Sequence, residues 1–599
     1  MFQRTHNCGQ LREEHVGQTV SLAGWVNSYR DHGTGLIFLD LRDREGLTQL
    51  VFDTEDSSQG LLDVADKIRN EDVIRATGTV RVRAGGPNPK LATGKVEVVV
   101  TEVEVLNKPD ALPFIPSDEE NLPGEELRLR YRYLDLRRQR MQKILRTRHR
   151  VTKVARDYFD AQGFTEIETP ILCKSTPEGA RDFVVPSRLQ PGEWYALPQS
   201  PQLFKQILMV AGCERYLQIC RCFRDEDPRA DRQAEFTQID CEMSFVDREN
   251  VMEIMEGFVR TLWKAVLGYD VPLVARMTYQ EAMDRYGIDR PDTRFGLEIV
   301  DVSDLAQKMD FGVFKDALAK RRGVVRCIRV PGGADKLTRK LTDGYTEFVK
   351  QFGAGGVPVV KYTAAGFETG IAKFVEPVKA ELVQRLGLGP GDTVVFGADA
   401  YATCCKAMGE LRLKIARDLK LIPEGKWNFL WVVDFPMFEY HEEDGRFYAT
   451  HHPFTAPNPD QVEAFLAAKE DDRDTIEGIV SAGYDIIVNG SEIGGGSIRI
   501  HRKEVQERVF TLLGISPEEA KEKFSFLLDA LRFGAPPHGG IAFGLDRLVM
   551  HLCGTDNIRD VIAFPKTQTG ADLMSGAPGM VSEAQMKELH VRSTWEAPA

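Results

Sequence analysis

The most restrictive feature of this sequence lies in its first hundred residues. Five runs rich in Val, Ile, Leu and Thr follow one another there, with a single helical stretch between the third and the fourth. The runs are TVSLAGWV (19–26), GLIFLDL (35–41), LTQLVFD (47–53), VIRATGTVRVR (73–83) and KVEVVVTEVEVL (95–106); the helical stretch is GLLDVADKIRN (60–70). Such residues suit a pleated surface. Five strands with a helix after the third is the order of an OB barrel, a fold that often binds single-stranded nucleic acid. Side-chain alternation then assigns faces. Ile37, Leu39 and Leu41 point one way and Phe38, Asp40 and Arg42 the other, while Val80 and Val82 alternate with Thr79, Arg81 and Arg83. A polar face with one ring and several arginines suits an unstacked base beside its phosphates. A stray surface phenylalanine is the other reading.

The rest of the chain needs more than one further core. At 599 residues with 42% apolar side chains, it is long and apolar enough for several domains. Pro109, Pro113, Pro116 and Pro123 punctuate a linker, and Ile144, Leu145, Val151, Val154 and Tyr158 follow at helical spacing. The expected plan is a barrel at 1–107, a linker at 108–140, a catalytic region at 141–287, an inserted α+β domain at 288–420, and the catalytic remainder with a C-terminal extension at 421–599. The fold class is therefore multidomain α+β. The net charge is −13, but residues 128–150 hold ten Lys/Arg against one acid, Asp135. That stripe is either a phosphate-binding face or a solvated helix face. The ten cysteines lack paired C-x-x-C spacing and read as free thiols. Neither a signal peptide nor a membrane span is visible, so a cytoplasmic location is expected.

Four segments carry candidate chemistry. In CRCFRDEDPRADRQAEFTQIDCEMSF (220–245), Arg224 ends a strand-like run and Phe236 opens the returning one. A fixed guanidinium there can clamp a phosphate and a ring can stack on a purine; a charged hairpin tip is the plain alternative. In GAPPHGGIAFGLDRLVMHL (534–552), glycines precede a helix whose first turn holds Arg547, a place that favours anions. In YDIIVNGSEIGGGSIRIH (484–501), Asp485 and Glu492 lie on adjacent apolar strands, where two carboxylates can hold Mg²⁺ against a triphosphate or belong to a structural ion pair. Arg499 alternates with Ile498 and Ile500 and needs an anionic partner if buried. Finally, KSTPEGARDF (174–183) is a small-residue loop that carries the carboxylate of Glu178, and LPQSPQLFKQ (197–206) brings Ser200, Gln202 and Lys205 together at a helix start.

Together these segments resemble the bacterial-type aspartyl-tRNA synthetases over essentially the whole chain. GFTEIETPIL (163–172) resembles class II motif 1, FRDED…FTQ (223–238) motif 2 and GLDR (544–547) motif 3, while PQSPQLFKQ and GGGSIRIH belong to the aspartate-type branch. The resemblance implies ATP and Mg²⁺, L-aspartate, tRNA and a homodimer. It implies aspartate contacts from Glu178, Ser200, Gln202, Lys205, Arg224, Asp240, His451, His452 and Arg499. It implies ATP contacts from Arg224, Asp225, Glu226, Gln233, Phe236, Glu492, Gly544, Leu545, Asp546 and Arg547, and Mg²⁺ ligation by Asp485 and Glu492. Arg30, Phe38, Gln49, Arg83 and Glu97 match anticodon-reading positions. In that family a Leu near the first hairpin and a Lys in the fourth loop accompany rejection of tRNA(Asn), and His and Gly accompany acceptance. Here the two positions are His32 and Gly86, with Gly85 the alternative for the second. The implied activity is aspartylation of tRNA(Asp) and also of tRNA(Asn). An asparaginyl or lysyl relative and a non-catalytic RNA-binding paralogue are the rival readings.

Overall fold

The computed structural model describes residues 4–33, 35–176 and 179–595. The chain forms two compact units, one from residues 1–150, 226–234 and 549–599, the other from 151–225 and 235–548.

The first unit contains the expected barrel. It is closed, with strands β1 (Thr19–Asp31), β2 (Ile37–Asp43), β3 (Gly46–Phe52), β4 (Val73–Val82) and β5 (Val96–Asn107) in the order β1-β2-β3-β5-β4. Val20, Leu22, Leu39, Leu41, Leu50, Ile74, Val80 and Val98 fill its interior. Strand β1 runs on past its apolar stretch because residues 28–31 pair with 37–40 of β2. Helix α1 (Gln59–Ala65) is capped by Ser58, whose side chain accepts from Leu61 N. It ends at Ala65, after which the turn closes through Lys67 N to Val64 O and Ile68 N to Ala65 O, and Arg69 donates to the carbonyls of Asp66 and Ile68 at 2.6 and 2.7 Å.

Two expectations change here. Arg42 is not part of an open polar face: it is buried and bonds both oxygens of Glu71 at 2.7 and 2.8 Å. Val82, by contrast, lies beyond the barrel interior and is 61% exposed. Much of the basic stripe is neither solvated nor open to phosphate. Arg132 and Arg138 are buried against Asp135 at 2.6 and 2.9 Å, Arg138 also meets Glu119, and Arg137 reaches Glu71 at 3.1 Å. Buried guanidinium groups demand such partners.

The second unit is built on an eight-stranded sheet. Its strands run, edge to edge, Ala275–Thr278, Phe429–Val433, Gly483–Val488, Ser491–Ile498, His538–Gly544, Glu235–Ser244, Arg215–Phe223 and Thr165–Glu166. In chain order, Arg215–Phe223 is β6, Glu235–Ser244 β7, Gly483–Val488 β8, Ser491–Ile498 β9 and His538–Gly544 β10. Pairing is antiparallel except at the two edges. Helix Arg248–Leu267 buries Met255, Phe258, Leu262 and Trp263, with Phe258 against Phe543 of β10. At the centre, β9 and β10 approach through glycine: a Cβ on Gly496 would stand 2.1 Å from Gly540 O.

Residues 299–400 form a second, antiparallel sheet of five strands, in the order Ile299–Asp301, Gly323–Val330, Asp392–Ala400, Val359–Thr363, Gly366–Glu368. Separate apolar clusters cover its two faces. Helix Tyr279–Tyr286 precedes this segment and helix Tyr401–Asp418 follows it. The two helices touch where Gly287 (φ +71°) meets Gly409, and a Cβ on Gly287 would be 2.8 Å from Gly409 N. Arg412 then secures the junction. It is buried between the rings of Tyr286 and Phe295 and donates to the carbonyls of Asp292, Phe295, Gly296 and Leu297 at 2.9–3.1 Å. Burial pulls its pKa down to about 10, still charged at neutral pH. Replacing it by Met keeps a stem between the rings but strands four carbonyls. Arg412→Met is expected to lower the unfolding free energy by about 3 kcal/mol or more, read from the denaturant midpoint. Unchanged stability would show that the carbonyls find other donors.

Candidate active site

Alternation along β7 places Phe236, Gln238, Asp240 and Glu242 on one face of the sheet. Cross-strand pairing adds Tyr216, Gln218, Cys220 and Cys222 of β6 to the same face. Helix α2 (Gln202–Val210) lays Gln202, Lys205 and Gln206 inward. Arg499 leaves the end of β9 on the same side. The result is a buried quartet of charges. Lys205 Nζ donates to Asp240 Oδ1 at 2.6 Å and lies 3.3 Å from Glu242 Oε2. Arg499 donates to Glu242 through Nε (2.9 Å) and Nη2 (3.1 Å), to Ser497 Oγ (2.6 Å) and to His452 Nε2 (2.9 Å).

Burial opposes every charge in this group, and neighbours decide the outcome. Asp240 and Glu242 outweigh burial at Lys205 and hold its pKa above the ordinary value. Glu242 does the same for Arg499, and Arg499 with Lys205 holds Glu242 below the usual carboxylate range. Asp240 goes the other way. Burial raises it beyond what Lys205 returns, consistent with one oxygen, Oδ2, that has no hydrogen-bond partner among the described residues. Gln202 Nε2 and His451 Nδ1 are likewise buried without a partner. Buried polar atoms in native proteins are paired, so these three point to a ligand.

His451 and His452 retain some surface yet are closely surrounded. Burial, then the Arg499 charge, pushes His451 down to about 4 and His452 well below its ordinary value, so both are neutral at pH 7. Ser200 Oγ accepts from Gln202 N at 3.3 Å. Gln199 ties the neighbouring loop, bonding Ala180 N and O and Asp182 Oδ1 at 2.6–3.0 Å. Glu178 lies outside the described residues.

The residue that sequence reasoning missed is Glu242. Without it, Lys205 and Arg499 read as two cations awaiting an anionic side chain. With it, two cations face two carboxylates and the pocket is neutral. The signal was present in FTQIDCEMSF, where Asp240 and Glu242 share a face at spacing two.

Further along the same face the charges are less committed. The Arg224 guanidinium lies 5.0 Å from the Phe236 ring and has no carboxylate partner among the described residues. Asp225 N donates to Arg181 O at 3.0 Å. Arg547 donates to Glu492 O at 3.0 Å and lies 3.8 Å from its carboxylate. Gly544 closes β10 and Leu545 and Asp546 are buried, with Asp546 Oδ2 accepting from Thr237 N at 2.9 Å. Asp485 of β8 and Glu492 of β9 converge over Gly495, where an added Cβ would sit 2.6 Å from one carboxylate and 3.2 Å from the other. Burial and then Glu492 raise Asp485 well above the ordinary range. Of the remaining predicted ATP contacts, Glu226 and Gln233 belong to the first unit. There Glu226 meets Arg232 at 3.2 Å, and the buried Gln233 accepts from Lys566 N at 2.9 Å.

The barrel gathers the predicted RNA-reading residues as well. Gln49 Oε1 accepts from Arg30 (3.2 Å) and Arg83 (2.7 Å), and Gln49 Nε2 donates to Glu97 (2.8 Å). Arg83 Nη1 is buried with no partner among the described residues. The His32 ring stands edge-on to Phe38 with centroids 5.2 Å apart. Gly86 has φ +83° and open space about it.

The chain contains both a closed five-stranded barrel and a large, mainly antiparallel sheet that carries the charged cluster. Residues 124–568 match the family model for "tRNA synthetases class II (D, K and N)" and residues 20–106 that for an "OB-fold nucleic acid binding domain". The chain belongs to the class II tRNA synthetases. Among curated relatives it is 51% identical over 594 residues to an "Aspartate--tRNA(Asp/Asn) ligase" of Geobacillus sp. (strain WCH70), covering 99% of this chain and 98% of the relative. It is also 51% identical over 595 residues to an "Aspartate--tRNA ligase" of Staphylococcus carnosus (strain TM300), covering 99% of this chain and 100% of the relative. Its fold is similar to that of asparaginyl-tRNA synthetase from Pyrococcus horikoshii (TM-score 0.59, 19% identity, 95% of this chain and 99% of that one).

The depressed His451 pKa has a consequence for stability. An unfolded imidazole protonates near pH 6.5 and this folded one near 4, so the contribution is complete above about pH 6.5 and is lost as the pH falls toward 4. His451→Gln is expected to lose up to about 3 kcal/mol less stability than the parent between pH 7 and pH 4. Parallel pH profiles would show that this imidazole titrates normally.

Proposed function

We propose that this protein activates L-aspartate with ATP and transfers the aspartyl group to the 3′-hydroxyl of the terminal adenosine of tRNA. The observation that carries the reading is the neutral, buried quartet with three unpaired polar atoms, placed on the same sheet face as Phe236 and Arg224. The names of the half-identical relatives support it.

In this reading the aspartate side chain takes Lys205 and Arg499, with Gln202, Ser200 and the neutral His451 and His452 around it. The ammonium goes to the open oxygen of Asp240, and Glu178 is assigned beside it. Phe236 stacks on adenine, Arg224 holds the α-phosphate and the substrate α-carboxylate, and Arg547 holds the γ-phosphate. That α-carboxylate attacks the α-phosphorus in line and pyrophosphate leaves. A carboxylate is already a nucleophile, so the residues work by position and charge rather than by proton transfer. In the second step the ribose hydroxyl attacks the carbonyl carbon and AMP leaves.

Mg²⁺ fits the Asp485–Glu492 pair, whose carboxylates repel one another and converge over a bare glycine. Among the described residues no group of three or more His, Cys, Asp or Glu is arranged for a metal; Asp485 and Glu492 would hold the ion, which would supply positive charge to the triphosphate. A homodimer accounts for the apolar side chains left open near motif 1, among them Ile171, Leu172, Val184 and Trp194, each about half exposed. Among the described residues no helix is long and apolar enough to cross a membrane, and a cytoplasmic location is part of this proposal.

ATP–pyrophosphate exchange tests the amino-acid assignment. Aspartate is expected to support exchange and asparagine is not. Lys205→Ala is expected to abolish exchange while ATP affinity stays within about twofold, since Lys205 faces the amino acid and not the nucleotide. An equal loss of ATP affinity would place Lys205 elsewhere.

The tRNA choice follows from His32 and the fourth loop. A side chain at Gly86 would be strained by its positive φ, whereas Gly85 opens into free space without that strain. Gly86 is the position matched to the discriminating lysine, with Gly85 the alternative, and neither carries a side chain. With no side chain there to read the RNA, the enzyme is proposed to aspartylate both tRNA(Asp) and tRNA(Asn). Charging purified transcripts of each is expected to give kcat/KM values within about a hundredfold, some 2.7 kcal/mol. A larger preference for tRNA(Asp) would contradict this, and Gly85→Lys is expected to create one.

A further inference from the structure

One hydrogen-bonded row crosses all five strands of the barrel in their spatial order. Ser28 of β1 pairs with Asp40 of β2, Asp40 with Gln49 of β3, Gln49 lies beside Glu97 of β5, and Glu97 pairs with Arg81 of β4. The side chains are joined too. Asp40 accepts from Ser28 Oγ at 2.6 Å and from Arg30 at 2.9 and 3.1 Å. Arg30 reaches on to Gln49 Oε1, Gln49 Nε2 reaches Glu97 Oε2, and Glu97 Oε1 accepts from Arg81 at 2.8 Å and from Ala84 N at 3.3 Å.

A carboxamide oxygen has two lone pairs and its nitrogen two hydrogens. The Gln49 oxygen is filled by Arg30 and Arg83, and one of its N–H groups by Glu97. Gln49 itself is buried (3% exposed), and among the described residues its second N–H has no acceptor, so a base must press in against it to meet that donor; a flipped amide would turn its NH₂ toward two guanidinium groups. Arg30 is 42% exposed, and the buried Asp40 is the carboxylate that holds it in place. We infer that Asp40, which sequence and family resemblance leave unassigned, is a positioning residue for tRNA recognition. It acts through Arg30 to fix which atom of Gln49 faces the RNA. This rests on the reading of the barrel as the anticodon-binding domain.

The test uses the full chain, tRNA(Asp) transcript and transcripts with each anticodon base replaced in turn. Asp40→Asn keeps the shape and the Ser28 bond but loses the charge that aligns Arg30. Aspartate-dependent exchange, which needs no tRNA, is expected to stay within about twofold. Aminoacylation kcat/KM is expected to fall about tenfold or more, mainly through KM for tRNA, and the penalty for one replaced anticodon base to shrink by about the same factor while the other two hold. Arg30→Lys keeps the charge but cannot bridge Asp40 and Gln49 together, and is expected to relax the same base. A parent enzyme indifferent to all three replacements would sink the anticodon reading itself. A sensitive parent with an equally sensitive Asp40→Asn variant, or a loss equal on all transcripts, would overturn the role of Asp40.

Discussion

The catalytic face depends on one constraint, that Lys205, Asp240, Glu242 and Arg499 are buried together. Removing one partner of a buried pair leaves an uncompensated charge and costs about 3–5 kcal/mol. The surrounding architecture answers to that cost. Glu242 takes two bonds from a residue 257 positions away in sequence, so β7, β9 and β10 must be held in a fixed register. Gly540 keeps the approach open: a Cβ there would lie 2.2 Å from Glu242 Oε2. The adjacent histidines stay neutral because they are closely surrounded and, secondarily, because Arg499 stands beside them.

The two ends of the face are built on opposite electrostatic plans. At the end proposed to take the amino acid, Lys205 and Arg499 are already balanced by Asp240 and Glu242, and recognition would be left to a few unpaired atoms. At the nucleotide end, Arg224 has no carboxylate partner among the described residues, and Asp485 and Glu492 repel each other over a glycine. In the proposed reading a triphosphate and its cation would supply the missing charges there. The contrast follows from substrate size. A small amino acid must be chosen by shape and hydrogen bonds, whereas a triphosphate brings enough charge to organise its own surroundings.

Much of this was legible in the sequence wherever the information is local. Strand alternation gave the barrel faces, placed Arg499 opposite Ile498 and Ile500, and set Asp485 and Glu492 on adjoining strands. Long-range pairing was not legible. Nothing near Arg42 announces Glu71, and nothing near Arg132 or Arg138 announces that part of a basic stripe is consumed by internal carboxylates. Glu242 stood in plain view two residues from Asp240, yet its partners come from α2 and from the end of β9.

The glycine contact between Gly287 and Gly409 reaches beyond packing. It brings the start and the finish of a segment of more than a hundred residues to within touching distance, and Arg412 seals them a turn later. To the main sheet, that whole segment is one closed loop, and the entropy of closing a loop grows only with the logarithm of its length. The core enzyme therefore feels a junction and hardly feels the size of what hangs from it. The segment has the topology of a graft, free to change in length and surface while the sheet that carries the chemistry keeps its shape.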